Sequence, residues 1–389
     1  MAKKVNQGQA DAAREIPSPS SLLPPKRSIR TPKPSQFWRA STPHAFGCKS
    51  PFFFSLLERV PRLELGADLM AAVTHKCPAP MGDCCPAVSG KMKRARNDHN
   101  LGSIYNYKSL ETLGEGTYGT VVKAQDQRTG ETVAVKWIRP DDEGVTDLGA
   151  VFHEAACLEA CRGDPSIVQL KEVAADEVGH IFIVTEFVGP SLESHLWRRF
   201  SGAEIRAAMH QLLRGAETIH GAGMIHRDIK PNNVLVGPGG ALKICDLGMA
   251  VQTRPAGGEP YPEETVAALW YRAPELMRGS RSRRTYGTAV DMWALGCVMI
   301  DLLFGEPLFK DAETEDDVLH RARDLQYQME SMTDLLLPEL SEAGHEVLRG
   351  LLSLVPEKRL TAADALSHRW FEEEDAPLSP CSMFSEGSA

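Results

Sequence analysis

The chain has 389 residues, 42% of them hydrophobic, and a net charge of −9. That length suits one large domain or two lobes with tails, and the acidic balance argues against nucleic acid as the main partner. Its nine cysteines, an odd number scattered along the chain, suit reduced thiols in the cytoplasm or nucleus rather than a disulfide framework.

Residues 1–103 are dominated by Pro, Ser and Lys/Arg, as in Pro17-Ser18-Pro19 and Pro24-Pro25-Lys26-Arg27. Periodicity there is poor, so they read as a disordered basic extension. Phe52-Phe53-Phe54-Ser55-Leu56-Leu57 is too short to span a bilayer, and the N-terminus lacks the basic-then-apolar order of a secretory signal. No membrane association is expected. Cys77, Cys84 and Cys85 cluster without C-x-x-C spacing, which argues against a metal site. Lys91-Met92-Lys93-Arg94-Ala95-Arg96 reads either as a nuclear-import signal or as a solvated linker, so residence in nucleus or cytoplasm stays open. Met70 opens an alternative start, which mass spectrometry of the endogenous N-terminus would decide.

From Tyr107 the texture changes. Tyr107 to Leu113, Thr120 to Gln125 and Thr132 to Ile138 alternate apolar and polar residues and predict three strands. Between the first two lies Gly114-Glu115-Gly116-Thr117-Tyr118-Gly119-Thr120-Val121, whose glycines let backbone N–H groups approach phosphates. A dinucleotide fingerprint is the rival reading, but it needs a following helix, and Thr120-Val121-Val122 continues as a strand. Lys136, in Val133-Ala134-Val135-Lys136, is placed to reach the α and β phosphates. Its carboxylate partner is expected from the helix predicted over Asp147 to Cys161, with Glu154 favoured over Glu159 by the helical pattern. Ile181 to Phe187 predicts another strand. Thereafter helical patterns prevail, over Gly202 to Gly221, Val290 to Phe304, Glu315 to Met329, Glu342 to Ser353 and Thr361 to His368. A strand-rich front and a helix-rich back predict two unequal lobes with a cleft between them.

His226-Arg227-Asp228-Ile229-Lys230-Pro231-Asn232-Asn233 sets a carboxylate, a lysine and an amide close together. Phosphoryl transfer to a hydroxyl needs those groups. Asp228 would orient the hydroxyl and accept its proton, and Lys230 would neutralise the transferring group. Asn233 and Asp246 would offer oxygen to Mg²⁺. Glu275 is expected to form a buried ion pair with Arg359, and Asp291 to brace the catalytic loop.

Taken in order, these motifs resemble a eukaryotic protein kinase domain over residues 107–371, serine/threonine-specific by Lys230. The implied fold is α+β and bilobal, with a β-rich lobe over 107–187, a helical lobe over 188–371 and a flexible tail over 372–389. Gly114-Glu115-Gly116-Thr117-Tyr118-Gly119, Leu269-Trp270-Tyr271-Arg272-Ala273-Pro274-Glu275 and Asp291-Met292-Trp293-Ala294-Leu295-Gly296-Cys297 resemble cyclin-dependent kinases, and the departures below suggest their F-type branch. The resemblance implies ATP bound with Mg²⁺, contacted by Leu113 to Val121 and by the backbone of Glu186 and Val188, with Thr185 as gatekeeper. It also implies Thr117 and Tyr118 as inhibitory phosphorylation sites. Protein substrates carrying Ser or Thr, with proline following, are implied by Arg272 and its context.

The departures carry their own expectations. Asp147-Leu148-Gly149-Ala150-Val151-Phe152-His153-Glu154 keeps only the glutamate of the family's cyclin-binding motif, which argues against cyclin dependence. Glu263 stands where the family phosphorylates a threonine, and of the arginines that clamp that phosphate only Arg227 remains, with His153 and Val251 at the other positions. The segment is therefore expected to need no activating phosphate there. Ala268 replaces a threonine hydroxyl that bridges the catalytic Asp and Lys, a loss of hydrogen bonds worth about 1.5–3 kcal/mol each. Leu247 replaces phenylalanine and stays apolar. The stretch from Trp270 to Arg359 is shorter than in the family, so its group-specific insert is expected to be mostly lost. An active kinase is the main reading. A pseudokinase scaffold, motivated by Ala268, and an adaptor working through the basic arm are the alternatives.

Overall fold

The computed structural model describes residues 101–116, 119–140, 146–255, 259, 261, 266–277, 286–331 and 339–373. The expectations placed on residues 1–100, Thr117, Tyr118, Glu263 and 374–389 lie outside the described residues.

The front lobe is one six-stranded sheet. Its strands are β1 (Gly102–Ser103), β2 (Tyr107–Gly116), β3 (Gly119–Asp126), β4 (Thr132–Ile138), β5 (Leu170–Ala175) and β6 (Ile181–Glu186), in the order β1-β5-β6-β4-β3-β2. Val122, Ala124, Val133 and Val135 bury the inner face, as the alternation requires. Strands β2 and β3 form a hairpin with Gly116 opposite Gly119. A strand follows the glycine-rich turn, so the helix a dinucleotide fingerprint needs is not there. Gly119 has φ 151°, and a Cβ on it would fall 1.8 Å from the Trp137 carbonyl oxygen, so only glycine fits.

Two boundaries move and one strand is added. Gly102 and Ser103 pair in parallel with Ala174 and Ala175, and Ile104 is fully buried, so the disordered extension expected through residue 103 does not reach that far. At the other end Glu372 closes a final 3₁₀ turn, and Glu373 accepts from Arg206 Nη1 at 2.7 Å, so the tail expected from residue 372 starts later. Strand β5 was not predicted, because Leu170–Ala175 carries a lysine and a glutamate among small apolar residues. Its anchor is long-range: Arg128 donates to the Tyr107 hydroxyl at 2.8 Å and to Glu172 at 2.9 Å, tying the turn after β3 to strands β2 and β5.

Helix α1 (Leu148–Ala160) is capped by Asp147, whose carboxylate accepts from Ala150 N–H at 3.1 Å. It buries Val151, Glu154, Ala155 and Leu158 against the sheet side of the cleft.

The back lobe is helical. Helix α2 (Gly202–Gly221) opens on a capping box between Ser201 and Glu204 and buries Ile205, Met209, Leu212 and Ile219, each contributing about 1.5–3 kcal/mol by leaving water. Helix α3 (Ala289–Phe304) is buried nearly all round, as its apolar run predicts, and ends at Gly305 with φ 75°. After it come α4 (Glu315–Ser331), α5 (Glu342–Leu351), which packs on α3, and α6 (Ala362–Leu366), which packs on α2. Two small antiparallel pairs, β7 (Met224–Ile225) with β10 (Val251–Gln252) and the hairpin of β8 (Val234–Val236) with β9 (Leu242–Ile244), frame the loop that carries Asp228. Among the described residues, no helix is long and apolar enough to cross a membrane.

Candidate active site

Two charged clusters line the cleft, the first shared between the lobes through Asp246. From the front lobe, Lys136 on β4 donates to both Glu154 oxygens and to Asp246 Oδ1, all at 2.8 Å. Glu154 is the partner; Glu159 instead pairs with Arg162. Burial works to lower the Lys136 pKa, but the Glu154 and Asp246 charges outweigh it and hold the ammonium above its ordinary value. Asp246 shows the converse: burial pushes its carboxyl up, and Lys136 brings it below the usual range. Asp246 sits in a left-handed backbone, φ 60°. Gly248 follows because a Cβ there would press within 3.1 Å of Glu154 Oε2. Leu247 is fully buried, filling its apolar pocket as expected.

The second cluster surrounds Asp228. Its Oδ2 accepts from Lys230 Nζ at 2.7 Å and from Asn233 Nδ2 at 2.9 Å. Its Oδ1 accepts from the Ala268 N–H at 3.3 Å. Ala268 has lost a hydroxyl relative to the family, yet its backbone still donates to the carboxylate. The loop beneath is pinned by Asp291, which accepts from His226 N at 2.8 Å, Arg227 N at 2.9 Å and His220 Nε2 at 2.9 Å. Burial would raise the Asp291 carboxyl; His220 and these donors hold it lowered. His226 Nε2 donates to the Cys245 carbonyl at 3.1 Å while Nδ1 accepts from Asp228 N–H at 3.2 Å, which fixes its tautomer and ties the two acidic loops together. Glu275 and Arg359 form the expected buried pair at 2.7 Å.

At the back of the cleft, Glu186 closes β6. Its carboxylate accepts from Lys243 Nζ at 2.6 Å and Gln169 N at 2.9 Å, and its own N–H donates to the Gln169 carbonyl at 3.0 Å. Its backbone thus offers a ligand only the carbonyl; Val188 lies just beyond. Leu113, Gly114, Glu115 and Gly116 line the exposed edge of β2, while Gly119 and Thr120 are buried and Val121 partly so.

Sequence reasoning placed Ala268 and Arg272 on the segment expected to face the substrate but missed the backbone turn at Ala267. Ala267 has φ 65°, and together with Arg227 (φ 70°) and Asp246 it completes the non-glycine positive-φ residues among those described. All three lie at this site, where backbone strain is most often retained for function. Arg272 holds the Ala267 carbonyl through Nη2 at 2.9 Å, the Val266 carbonyl through Nε at 3.0 Å and Glu315 through Nη1 at 2.6 Å. His153, at an arginine position of the family, donates through Nε2 to the Ala250 carbonyl at 2.7 Å.

Residues 107–371 match the family described as the protein kinase domain, and the chain belongs to that family. Within it, the chain is cyclin-dependent-kinase-like. It is 43% identical over 308 residues to a protein of Oryza sativa subsp. japonica assigned as cyclin-dependent kinase F-2, covering 70% of this chain and 91% of the relative. It is 36% identical over 316 residues to cyclin-dependent kinase G-1 of Oryza sativa subsp. indica and 36% over 318 residues to cyclin-dependent kinase G1 of Arabidopsis thaliana. Each alignment covers 71% of this chain, and 44% and 50% of those longer relatives. Protein kinases as a family use ATP and Mg²⁺.

Proposed function

We propose that this chain transfers the γ-phosphoryl group of ATP to the hydroxyl of Ser or Thr in protein substrates, with proline preferred after the acceptor residue. The observation that carries the reading is the Asp228 carboxylate, held by Lys230, Asn233 and the Ala268 N–H at the mouth of a cleft that also contains Lys136 and Asp246. In this reading Asp228 orients the hydroxyl. As its oxygen bonds to phosphorus and the bond to the β-phosphate oxygen breaks, Asp228 takes the proton and ADP departs. Lys136 binds the α and β phosphates, and Lys230 offsets charge on the group in flight.

The residues fit Mg²⁺. Among those described, no group of three or more His, Cys, Asp or Glu side chains forms a cage. Asp246 keeps Oδ2 and Asn233 keeps its amide oxygen, two hard donors of the kind this ion combines with phosphate oxygens and water. When bound it would neutralise phosphate charge.

The proline preference is supported by Ala267. Its carbonyl is turned to Arg272, so a substrate residue lying beside it finds no acceptor there for its N–H. Proline has no N–H to lose. Activity without a cyclin is supported by the Lys136–Glu154 pair, which is already closed in the single chain. The test is initial-rate transfer from Mg·ATP to Ser-Pro, Thr-Pro, Ser-Ala and Tyr-Pro peptides by the purified chain and by Asp228→Asn, with no cyclin added. Wild-type transfer to Ser-Pro above Ser-Ala is expected. Equal signals from wild type and Asp228→Asn would instead favour the nucleotide-binding scaffold that Ala268 motivates.

A further inference from the structure

Arg227 precedes the catalytic carboxylate and is 5% exposed. Its Nε donates to the Met249 carbonyl at 2.6 Å and its Nη1 to the Tyr286 hydroxyl at 3.1 Å. Tyr261, on the segment between Asp246 and Arg272, sets its ring 6.0 Å from the same guanidinium. Arg254 lies over that ring at 4.5 Å, and Tyr286 packs against it at 4.6 Å with the planes tilted by 32°. The Tyr261 hydroxyl donates to the Gln252 carbonyl at 2.9 Å, on the strand β10 that pairs with β7 just before the catalytic loop. Tyr261 is 2% exposed. One side chain of the substrate-facing segment is therefore set against two arginines, a second ring and a strand carbonyl. The arginine beside Asp228 finds the negative face of a ring and a phenol oxygen near its charge.

We propose that Tyr261 is a positioning residue. It pins the segment onto Arg227, so that the downstream Ala267 carbonyl and Ala268 N–H take up their places beside Arg272 and Asp228 with no phosphate group on the segment. The kinetic consequence rests on the kinase reading of Asp228; the clamp itself does not. Without the ring, Val266 to Ala268 lose their upstream anchor, and the peptide site loosens while the Lys136 cluster, built on other elements, is untouched.

The test uses the full chain, treated with a broad phosphatase and verified free of phosphate by mass spectrometry, as wild type, Tyr261→Phe and Tyr261→Ala. Peptide kcat/KM is expected to fall about tenfold or more in Tyr261→Ala, with KM for ATP within about twofold, because a desolvated cation–ring contact and an aromatic pair are both lost. Tyr261→Phe keeps both ring faces and is expected to recover most of the activity. Cleavage after Glu263 or Glu264 by a glutamate-specific protease is read in parallel and is expected to quicken in Tyr261→Ala. Phosphatase treatment that silences the wild type overturns the proposal. So does Tyr261→Ala with wild-type kinetics, Tyr261→Phe as damaged as Tyr261→Ala, or parallel loss of ATP binding and melting temperature. If the untreated wild type also transfers no phosphate, the kinase reading fails by itself, and the cleavage rate alone decides the clamp: faster supports it, unchanged overturns it.

Discussion

The catalytic loop and the segment that faces the substrate lie side by side, yet different forces hold them. Beneath the loop, the buried Asp291 collects two backbone N–H groups and His220, and His226 ties Asp228 to Cys245. This is a closed hydrogen-bond network in a low-dielectric interior, where each bond is strong and an orphaned group is costly. The segment instead rests on arginines: Arg227 and Arg254 on Tyr261, Arg272 on two carbonyls, Arg359 on Glu275. In the proposed reading, the group that would take the proton sits on the rigid network, and the groups that would select the substrate sit on charged side chains from several elements, which can be shifted one at a time.

The largest effect is expected where the segment is anchored to the lobe. The Arg359 side chain is fully buried, so Glu275→Ala should cost about 3–5 kcal/mol in a denaturant titration. A loss near 1 kcal/mol would mean that the Ala289 and Ser353 carbonyls hold Arg359 by themselves. Next, Asp228→Asn should lower phosphoryl transfer by about 10³-fold, since it removes charge aimed at the reacting group. Its melting temperature should stay near wild type, because Asp291 carries the loop; a large drop would erase the distinction between chemistry and scaffold.

A third test uses pH. Burial raises the Asp301 carboxyl from 3.8 to about 7, with the Tyr271 hydroxyl and Leu308 N–H opposing. A raised folded-state value stabilises fully below 3.8, and that contribution is lost as pH rises to about 7. Asp301→Asn should therefore flatten the decline in stability between these limits, and identical slopes for both proteins would refute the assignment. The smallest effect is expected from restoring the missing hydroxyl. Ala268→Thr should raise kcat about threefold to tenfold, less than a full charged hydrogen bond, because the Ala268 N–H already donates to Asp228. An unchanged kcat would mean that the backbone donor suffices.

Much of the cleft was legible because its chemistry dictates residue types at short spacings. Lys136, Asp228, Lys230, Asn233 and Asp246 could be assigned to one site before any coordinates, and helical phase alone preferred Glu154 to Glu159. Loss of a hydroxyl at Ala268 was legible too, but not the reach of its main-chain N–H to Asp228, since composition carries no backbone direction. Strand β5 escaped for a similar reason: its pairing with β1 and β6 is non-local, and its own residues alternate weakly.

The amino-acid order by itself determined the strand-rich front and helix-rich back, the strands of alternating polarity and the identities of the acids and bases in the cleft, because burial periodicity and ligand chemistry are written locally; the kinase fold followed from the resemblance of its motifs. Only the tertiary structure decided the left-handed turn at Ala267, the hold of Arg272 on its carbonyl and the seating of Tyr261 between Arg227 and Arg254. Those depend on side chains distant in sequence reaching one small volume, where packing overrides the preferences of any single residue.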